Sequence, residues 1–437
     1  MVSSYNWIGG ENETPKTLRD NPTIAVPGCP NFWSPPNGSR QLRHDNGLTF
    51  INQNSARYPK RPLEPLFRAL EMTHPTFDVR TVHLVTDRNI IRKLLGFIER
   101  KIPGTKVLQS FEFEYEMVKD TALFCRKEKE DYVVLKGFHG FGHQFEKTYT
   151  KEKIKNSTSH HQVVSYELGG LNILLRHEVD ACVPSNDYTV IPYGPYSESP
   201  VQPAGSDLKV KIMGNYVPYW CTVEIKTRSM SAIKDFDIRS FMPQLWVSQT
   251  RNLVMAFHVN GSFNTPMIKD VSDEIQYWER DNQALLGLLV ALLNKIIAVI
   301  KQDGYRKGVI KYDYASDTLF ICPVMSKSML TPDLYAKWDD ASKHEEAVTD
   351  VGGAGSFDES APAQVVDDVD VSKNEKAVTD VGGVGSLNES APAQVVDSVK
   401  GPVPGGDGSA SVDDGQDQNL GDEGGVMFNC EKVSVDC

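Results

Sequence analysis

The 437-residue chain contains no Cys-x-x-Cys pair, and its seven cysteines are scattered from Cys29 to Cys437. That odd, dispersed set excludes a zinc ribbon and gives no expectation of a disulfide framework. No Gly-Lys-Ser/Thr follows the glycine cluster around Gly137, Gly140 and Gly142, so this is not a phosphate-cradling P-loop. The start, Met1 to Trp7, lacks the basic region and apolar core of a signal peptide. The most apolar stretch, 284–300, is short for a membrane span and is interrupted by Asn294 and Lys295. It reads as a buried core helix, and the expectation is a soluble, intracellular protein with no membrane partner.

What is present is unevenly spread. The net charge is −12, but residues 339–437 alone hold 22 acidic and five basic side chains. Residues 1–338 keep 41 basic and 36 acidic ones, a mildly basic body compatible with a polyanionic partner. Within the acidic part, 345–369 (EEAVTDVGGAGSFDESAPAQVVDDV) recurs as 375–399 with a period of 30 residues. Two copies rich in Gly, Ala, Ser, Asp and Pro cannot bury a core, so 339–437 reads as a disordered acidic tail. Residues 1–45, rich in Pro, Gly and Asn, read as an irregular arm. The body is then 46–338.

Within that body, 48–51 and 82–85 read as strands, and 66–72 as a short helix. Ile90, Ile91, Leu94, Leu95 and Ile98 repeat at helical spacing after a cap at Thr86 or Asp87. Arg88 falls in the first turn of that helix, where a cation opposes the helix dipole unless an anion binds there. Segments 111–119 and 121–126 alternate as a hairpin. The residues after Gly142 read as a helix carrying Glu146, which taken alone is a solvated side chain. His160-His161 lies in a polar stretch and is expected to be exposed. A Pro/Tyr/Gly-rich insertion covers 184–206. Segment 237–246 reads as a helix, 253–259 as a strand, 281–302 as the core helix, and 308–314 with 318–323 as a closing hairpin. Mixed helices, strands and hairpins make the fold α+β, a central mixed β-sheet flanked by helices.

Two segments carry the chemistry. Arg176-His177-Glu178-Val179-Asp180-Ala181-Cys182 and Thr222-Val223-Glu224-Ile225-Lys226-Thr227 both read as strands. Residues two apart on a strand share a face, so Glu178 pairs with Asp180 and Glu224 with Lys226. Such alternation ordinarily marks one wet sheet face. Two acidic strands converging, however, would gather hard oxygen donors suited to Mg²⁺ or Mn²⁺, with an amine beside them to orient water.

The motifs, in their order, resemble the DXO/RAI-type RNA 5′-end decapping nucleases over most of 48–323. His83-Leu84-Val85-Thr86-Asp87-Arg88-Asn89 looks like that family's arginine motif, usually Trp-Arg-Gly, with Asp87 and Asn89 as departures. Gly140-Phe141-Gly142-His143-Gln144-Phe145-Glu146 looks like its G-Y-x-F-E, with an extra residue or a lost aromatic. Gly169-Gly170-Leu171 leading to Glu178-Val179-Asp180 matches its E-x-D strand, Glu224-Ile225-Lys226-Thr227 its E-[LI]-K-T strand, and Trp246-Val247-Ser248-Gln249 its W-x-x-Q. The resemblance implies a fold like the PD-(D/E)xK nucleases. It implies a divalent ion held by Glu146, Glu178, Asp180, Glu224 and the Ile225 carbonyl. Glu178, Asp180, Glu224 and Lys226 would be catalytic, with Lys226 positioning the attacking water. Arg57, Arg88, Lys226 and Gln249 would contact RNA.

The activity implied is removal of incomplete guanosine caps, nicotinamide-type caps or 5′ triphosphates in RNA quality control, with or without 5′→3′ degradation. A nuclear location and a 5′→3′ exoribonuclease partner are implied in the same way. Two alternatives stay open: a DNA nuclease of the same fold class, and a non-catalytic subunit stabilising an exoribonuclease.

Overall fold

The computed structural model describes residues 1–10, 13–102, 107–184, 199–235, 237–302, 304–339 and 430–433. All of these fall in one compact unit. In chain order, the strands that build its core and candidate site are β1 (Ser3–Ile8), β2 (Thr23–Gly28), β3 (Leu84–Asp87), β4 (Phe111–Val118), β5 (Thr121–Arg126), β6 (Ser157–Leu168), β7 (Leu171–Val179), β8 (Ala181–Cys182), β9 (Lys209–Gly214), β10 (Thr222–Ser229), β11 (Asn252–Val259), β12 (Lys307–Asp313), β13 (Thr318–Pro323) and β14 (Glu431–Val433). Eleven strands form one mixed sheet in the order β9-β2-β1-β6-β7-β3-β5-β4-β12-β13-β14. A second sheet, of eight strands, is centred on β8-β10-β11. The expected α+β class is met, with two large sheets and one two-stranded ribbon (47–50 with 132–135) rather than a single sheet among the described residues.

The β6–β7 hairpin sets the register of the E-x-D segment. Gly169 and Gly170 turn the chain at φ +55° and +83°, between the paired Leu168 and Leu171. Positive φ at both central residues is what a two-residue hairpin needs, and glycine supplies it without a steric cost. From there β7 runs parallel to β3, opposing Arg176 to Asp87. After Val179 the chain leaves the larger sheet, and β8 pairs antiparallel with β10 in the smaller one. Asp180 therefore sits at the crossing between the two sheets.

The helices follow the same logic. Helix α1 (Gln53–Arg57) and α2 (Glu64–Thr73) precede β3. Helix α3 (Arg88–Glu99) starts directly after β3, with Asp87 at its N-cap, and buries Ile90, Ile91, Leu94, Leu95 and Ile98. Helix α4 (Gly142–Tyr149) carries Glu146. The segment expected as one helix over 237–246 is a 3₁₀ turn (Ile238–Phe241) followed by α5 (Met242–Ser248), with Pro243 in the first turn of α5. The core helix expected over 281–302 is α7 (Gln283–Ile300), and it is preceded by a separate helix, α6 (Ser272–Asp281). Helix α7 alone among the described residues is long and apolar enough to cross a membrane. Leu289, Leu292, Leu293, Ile296 and Ile300 bury its inner face in the main core, each contributing about 1.5–3 kcal/mol, while Asn294 and Lys295 lie on its exposed side.

Four expectations are corrected. Residues 1–45 are not an irregular arm: β1 lies between β2 and β6, and Tyr5 and Trp7 are fully buried. The proline- and glycine-rich stretches separate short strands instead of replacing them. His160 and His161 are not exposed but sit inside β6 at 3% and 4% accessibility. The expected tail is not tail throughout, because β14 adds to the edge strand β13 and Val433 joins the main core. A disulfide, Cys322–Cys430, fastens that contact across 108 residues of sequence, a distance over which cysteine spacing carries no signal. The two repeats, and residues 185–198 of the insertion, lie outside the described residues.

Candidate active site

Glu224 on β10 is 3% exposed. Its Oε2 accepts a hydrogen bond from Arg88 Nη1 at 2.9 Å. Its Oε1 accepts from Lys226 Nζ and from Gln244 Nε2. Burial works to raise its pKa, but the charges of Lys226 and Arg88 outweigh it and hold Glu224 down at about 2. Lys226 is pushed down by burial and more strongly up by Glu224 and Asp180, so it stays an ammonium. Asp180 Oδ2 accepts the Ile225 N–H at 2.7 Å, which ties the crossing point to β10.

The other acids lack that neutralisation. Asp180 is raised to about 7, by burial first and then by the Glu224 charge. Glu146 is raised well above the usual range by burial, then by Asp180 and Glu178. Glu178 is also raised, by the low-polarity surroundings of the cleft wall although its side chain is solvent-accessible, with Arg88 and Arg126 opposing. Glu146, Glu178 and Asp180 line one cleft of about 680 Å³ together with His160, His143 and Lys147. Carboxyls that hold one another above their ordinary range are relieved by a shared cation, and an all-oxygen set suits a hard divalent ion. The donor chemistry therefore fits Mg²⁺ or Mn²⁺. As placed, no three His, Cys, Asp or Glu side chains among the described residues stand close enough to hold an ion, so binding requires these side chains to draw inward.

The raised Asp180 has a testable consequence. A carboxyl whose folded pKa exceeds its unfolded value stabilises the fold fully below the unfolded pKa, here near 3.8, and loses that contribution as pH rises through about 7. Asp180→Asn keeps an acceptor for the Ile225 N–H and removes the charge. In chelator at pH 8 the variant is expected to be more stable than wild type by at least about 1.4 kcal/mol, the worth of one pKa unit. The gap should close below pH 4 in melting curves recorded across pH. A variant no more stable at pH 8 would remove the crowding argument.

Two expected site residues are not brought in. Arg57 is 2% exposed, and its Nη1 and Nη2 donate to Glu13 at 2.7 and 2.5 Å. Its charge is spent on that pair. Gln249 is the left-handed C-cap of α5 and its side chain donates to Trp246 O at 3.0 Å, with no hydrogen bond to any of these acids. The glutamine that reaches the site is Gln244, five residues earlier, because α5 turns its buried side toward Glu224. Its position in that helix was the available signal. Ile225 contributes its N–H to Asp180 and its side chain to the core of the smaller sheet.

Beside the acid cleft lies a second cavity, of about 110 Å³, lined by Arg88, Arg92, Arg126, Arg176, His177 and Glu178 among others. Glu178 is in the wall of both. Burial, then the charge of a neighbouring His or Arg, holds His160 and His177 at about 3, so both imidazoles are neutral. Neither is legible in the sequence: His160 lies in a polar stretch, and the alternation around His177 points to Glu178 and Asp180.

Set against known proteins, residues 1–334 match the family described as Domain of unknown function (DUF8563). No curated protein matches the chain. Among solved structures it is similar to S. pombe Rai1 in complex with 3'-FADP, at 13% identity and a TM-score of 0.42 over 71% of this chain and 89% of that one. It is similar to Candida albicans Rai1 in complex with pU5-Mn2+, at 13% identity and 0.48 over 77% and 93%. It is similar to Scheffersomyces stipitis Rai1 in complex with (3'-NADP)+ and calcium ion, at 12% identity and 0.49 over 77% and 94%. With three-quarters of its length inside the matched segment, the chain belongs to the DUF8563 family.

Proposed function

We propose that the protein is a metal-dependent hydrolase acting on the 5′ ends of RNA, removing an incomplete or non-canonical cap or a 5′ triphosphate. The observation that carries this reading is the convergence of Asp180, Glu224, Lys226 and Arg88 where the two sheets meet, with the Ile225 N–H on Asp180 and Arg88 on Glu224. Glu146, Glu178, Asp180 and Glu224, with the Ile225 carbonyl, would hold Mg²⁺ or Mn²⁺. When bound, such an ion lowers the pKa of its water and offsets charge on the phosphoryl group. The chain's own residues do the rest. Lys226, kept cationic by Glu224 and Asp180, orients a water by hydrogen bonding and faces developing negative charge. Arg88 brings a second cation to the same carboxylate and so to a phosphate beside it. The mildly basic body draws in a polyanion, which the acidic tail does not.

The test is hydrolysis of 5′-labelled RNAs carrying a triphosphate, a guanosine cap or a nicotinamide cap, with Mn²⁺ or Mg²⁺, beside an Asp180→Ala/Glu224→Ala double variant. Metal-dependent 5′-end release by wild type alone supports the assignment. Equal product from both proteins rejects it, and cleavage confined to duplex DNA places the activity in a DNA nuclease. No turnover, with co-purification of an exoribonuclease, makes the chain a non-catalytic subunit.

A further inference from the structure

Strand β14 is held to the body by little besides one covalent bond. It pairs with β13 through three residues, Leu319 with Val433, Phe320 with Lys432 and Ile321 with Glu431. Of its side chains Val433 alone is buried, while Glu431 is half-buried and Lys432 exposed. Docking this strand also closes a loop, because 108 residues of sequence separate Cys322 from Cys430. Loop closure costs entropy that rises with length, and three strand residues recover little of it. The Cys322–Cys430 bond offsets that cost by keeping the two ends together when the strand is undocked.

What the strand covers is a sheet edge. Strand β13 is next to last in the large sheet, so without β14 it becomes the edge. Edge strands present unpaired N–H and C=O groups to any extended chain. This edge is apolar as well: Leu319 and Ile321 belong to the main core, and Val324 and Met325 just beyond it are 44% and 88% exposed.

The bonded pair differs from every other cysteine among the described residues. Cys29, Cys125, Cys182 and Cys221 are free thiols, each at most 5% exposed. Burial raises the Cys29, Cys125 and Cys182 thiols, which makes them inert to exchange. Cys430 is exposed and Cys322 half-buried, so a thiolate in solution can reach this bond. Exposed disulfides are the labile ones. We propose that Cys322–Cys430 is a reversible redox clasp: a dithiol reductant opens it, β14 leaves β13, and the edge of the large sheet is uncovered. A thiolate of the reductant attacks Cys430 Sγ, forming a mixed disulfide and expelling Cys322 as the thiolate. The second thiol of the reductant then displaces Cys430. The reductant leaves as a disulfide, and the two cysteines take up two electrons and two protons. The clasp shares no residue with the acid cluster and holds whether or not the chain cuts RNA.

The experiment uses the full chain, purified without reductant, beside Cys430→Ser and Cys437→Ser variants. Peptide mapping by mass spectrometry reads the bond, and hydrogen exchange reads the amides of 318–323. Wild type is expected to carry the Cys322–Cys430 bond. Dithiothreitol should speed exchange in 318–323 at least about tenfold and leave β4 protected. Oxidised glutathione, added after the dithiothreitol is removed, should restore slow exchange. Cys430→Ser should exchange fast from the start and not respond to dithiothreitol, and Cys437→Ser should behave as wild type. Absence of the bond in the unreduced protein, exchange unchanged by dithiothreitol, or failure of the bond to re-form overturns the clasp. Loss of the response in Cys437→Ser also overturns it, because Cys437 would then be the partner of Cys322.

Discussion

Glu224→Ala is expected to be inactive and to lose about 3–5 kcal/mol of folding stability, while Glu224→Gln is inactive but folded. The reason lies in what surrounds the carboxylate. Arg88, Lys226 and Gln244 all donate to it in a site where Glu224 is 3% exposed. Alanine leaves two cations facing each other without their shared anion, and breaking one side of a buried ion pair costs about that much. Glutamine keeps an acceptor oxygen and the volume, so most of the packing survives. Neither variant retains the charge that a divalent ion and Lys226 require. Activity on 5′-labelled RNA should fall by at least about a hundredfold to a thousandfold, the effect of losing one preorganised electrostatic group. Denaturant unfolding separates the two variants. Glu224→Ala within 1 kcal/mol of wild type would mean that the three donors are not held by this carboxylate.

The pH dependence has the opposite sign to that of Asp180. Glu224 has its pKa lowered from near 4.5 to about 2, so its contribution is present above the unfolded value and is lost as pH falls from about 4.5 through about 2. Asp180 weakens the same fold as pH rises through about 7. One acid is thus neutralised by cations inside the chain, while Asp180, Glu146 and Glu178 keep raised pKa values. That division is the physical basis for reading the cluster as a metal-dependent site and not as a structural salt-bridge network.

What was legible in the sequence follows from how each element is stabilised. Strand β10 announces itself through Val223 and Ile225 alternating with Glu224 and Lys226, and helix α3 through five apolar residues on one face. The β6–β7 hairpin is marked by Gly169-Gly170. Periodicity and turn chemistry report local structure, and these elements obey both. Strand β1 does not stand out, because Ser3-Ser4-Tyr5-Asn6-Trp7 alternates only over a few residues and is stabilised by its neighbours β2 and β6. Strand β14 is three residues long, and its place on β13 comes from pairing and a disulfide over a long separation. The segment 176–182, expected as one strand, is two, β7 ending at Val179 and β8 starting at Ala181, and the place of Asp180 between them at the crossing of two sheets is a property of topology that no local pattern encodes. Gln244 and Gln249 were confused because the choice depends on where α5 ends. His160 and His161 were misread because polarity stood in for position.

Arg176→Ala is expected to destabilise the fold by about 3–5 kcal/mol and to displace the start of α3. Arg176 is 1% exposed, and besides Asp87 it donates to Pro62 O at 2.7 Å and Tyr5 Oη at 3.3 Å. Burial alone would lower its pKa, and the Asp87 charge more than reverses that, so the guanidinium stays charged in the interior. Removing it leaves Asp87 as a buried anion at the N-cap of α3, with only the helix dipole to offset it. An Arg176→Met/Asp87→Leu double variant should therefore recover most of the stability lost in Arg176→Ala, because replacing both members of a buried pair by apolar groups is often close to neutral. The next residue after Asp87 is Arg88. If the Arg176–Asp87 pair fixes the first turn of α3, the double variant will fold yet still show a raised KM for 5′-triphosphate RNA. If its KM equals that of wild type, the pair serves stability alone, and Arg88 is held in place by Glu224.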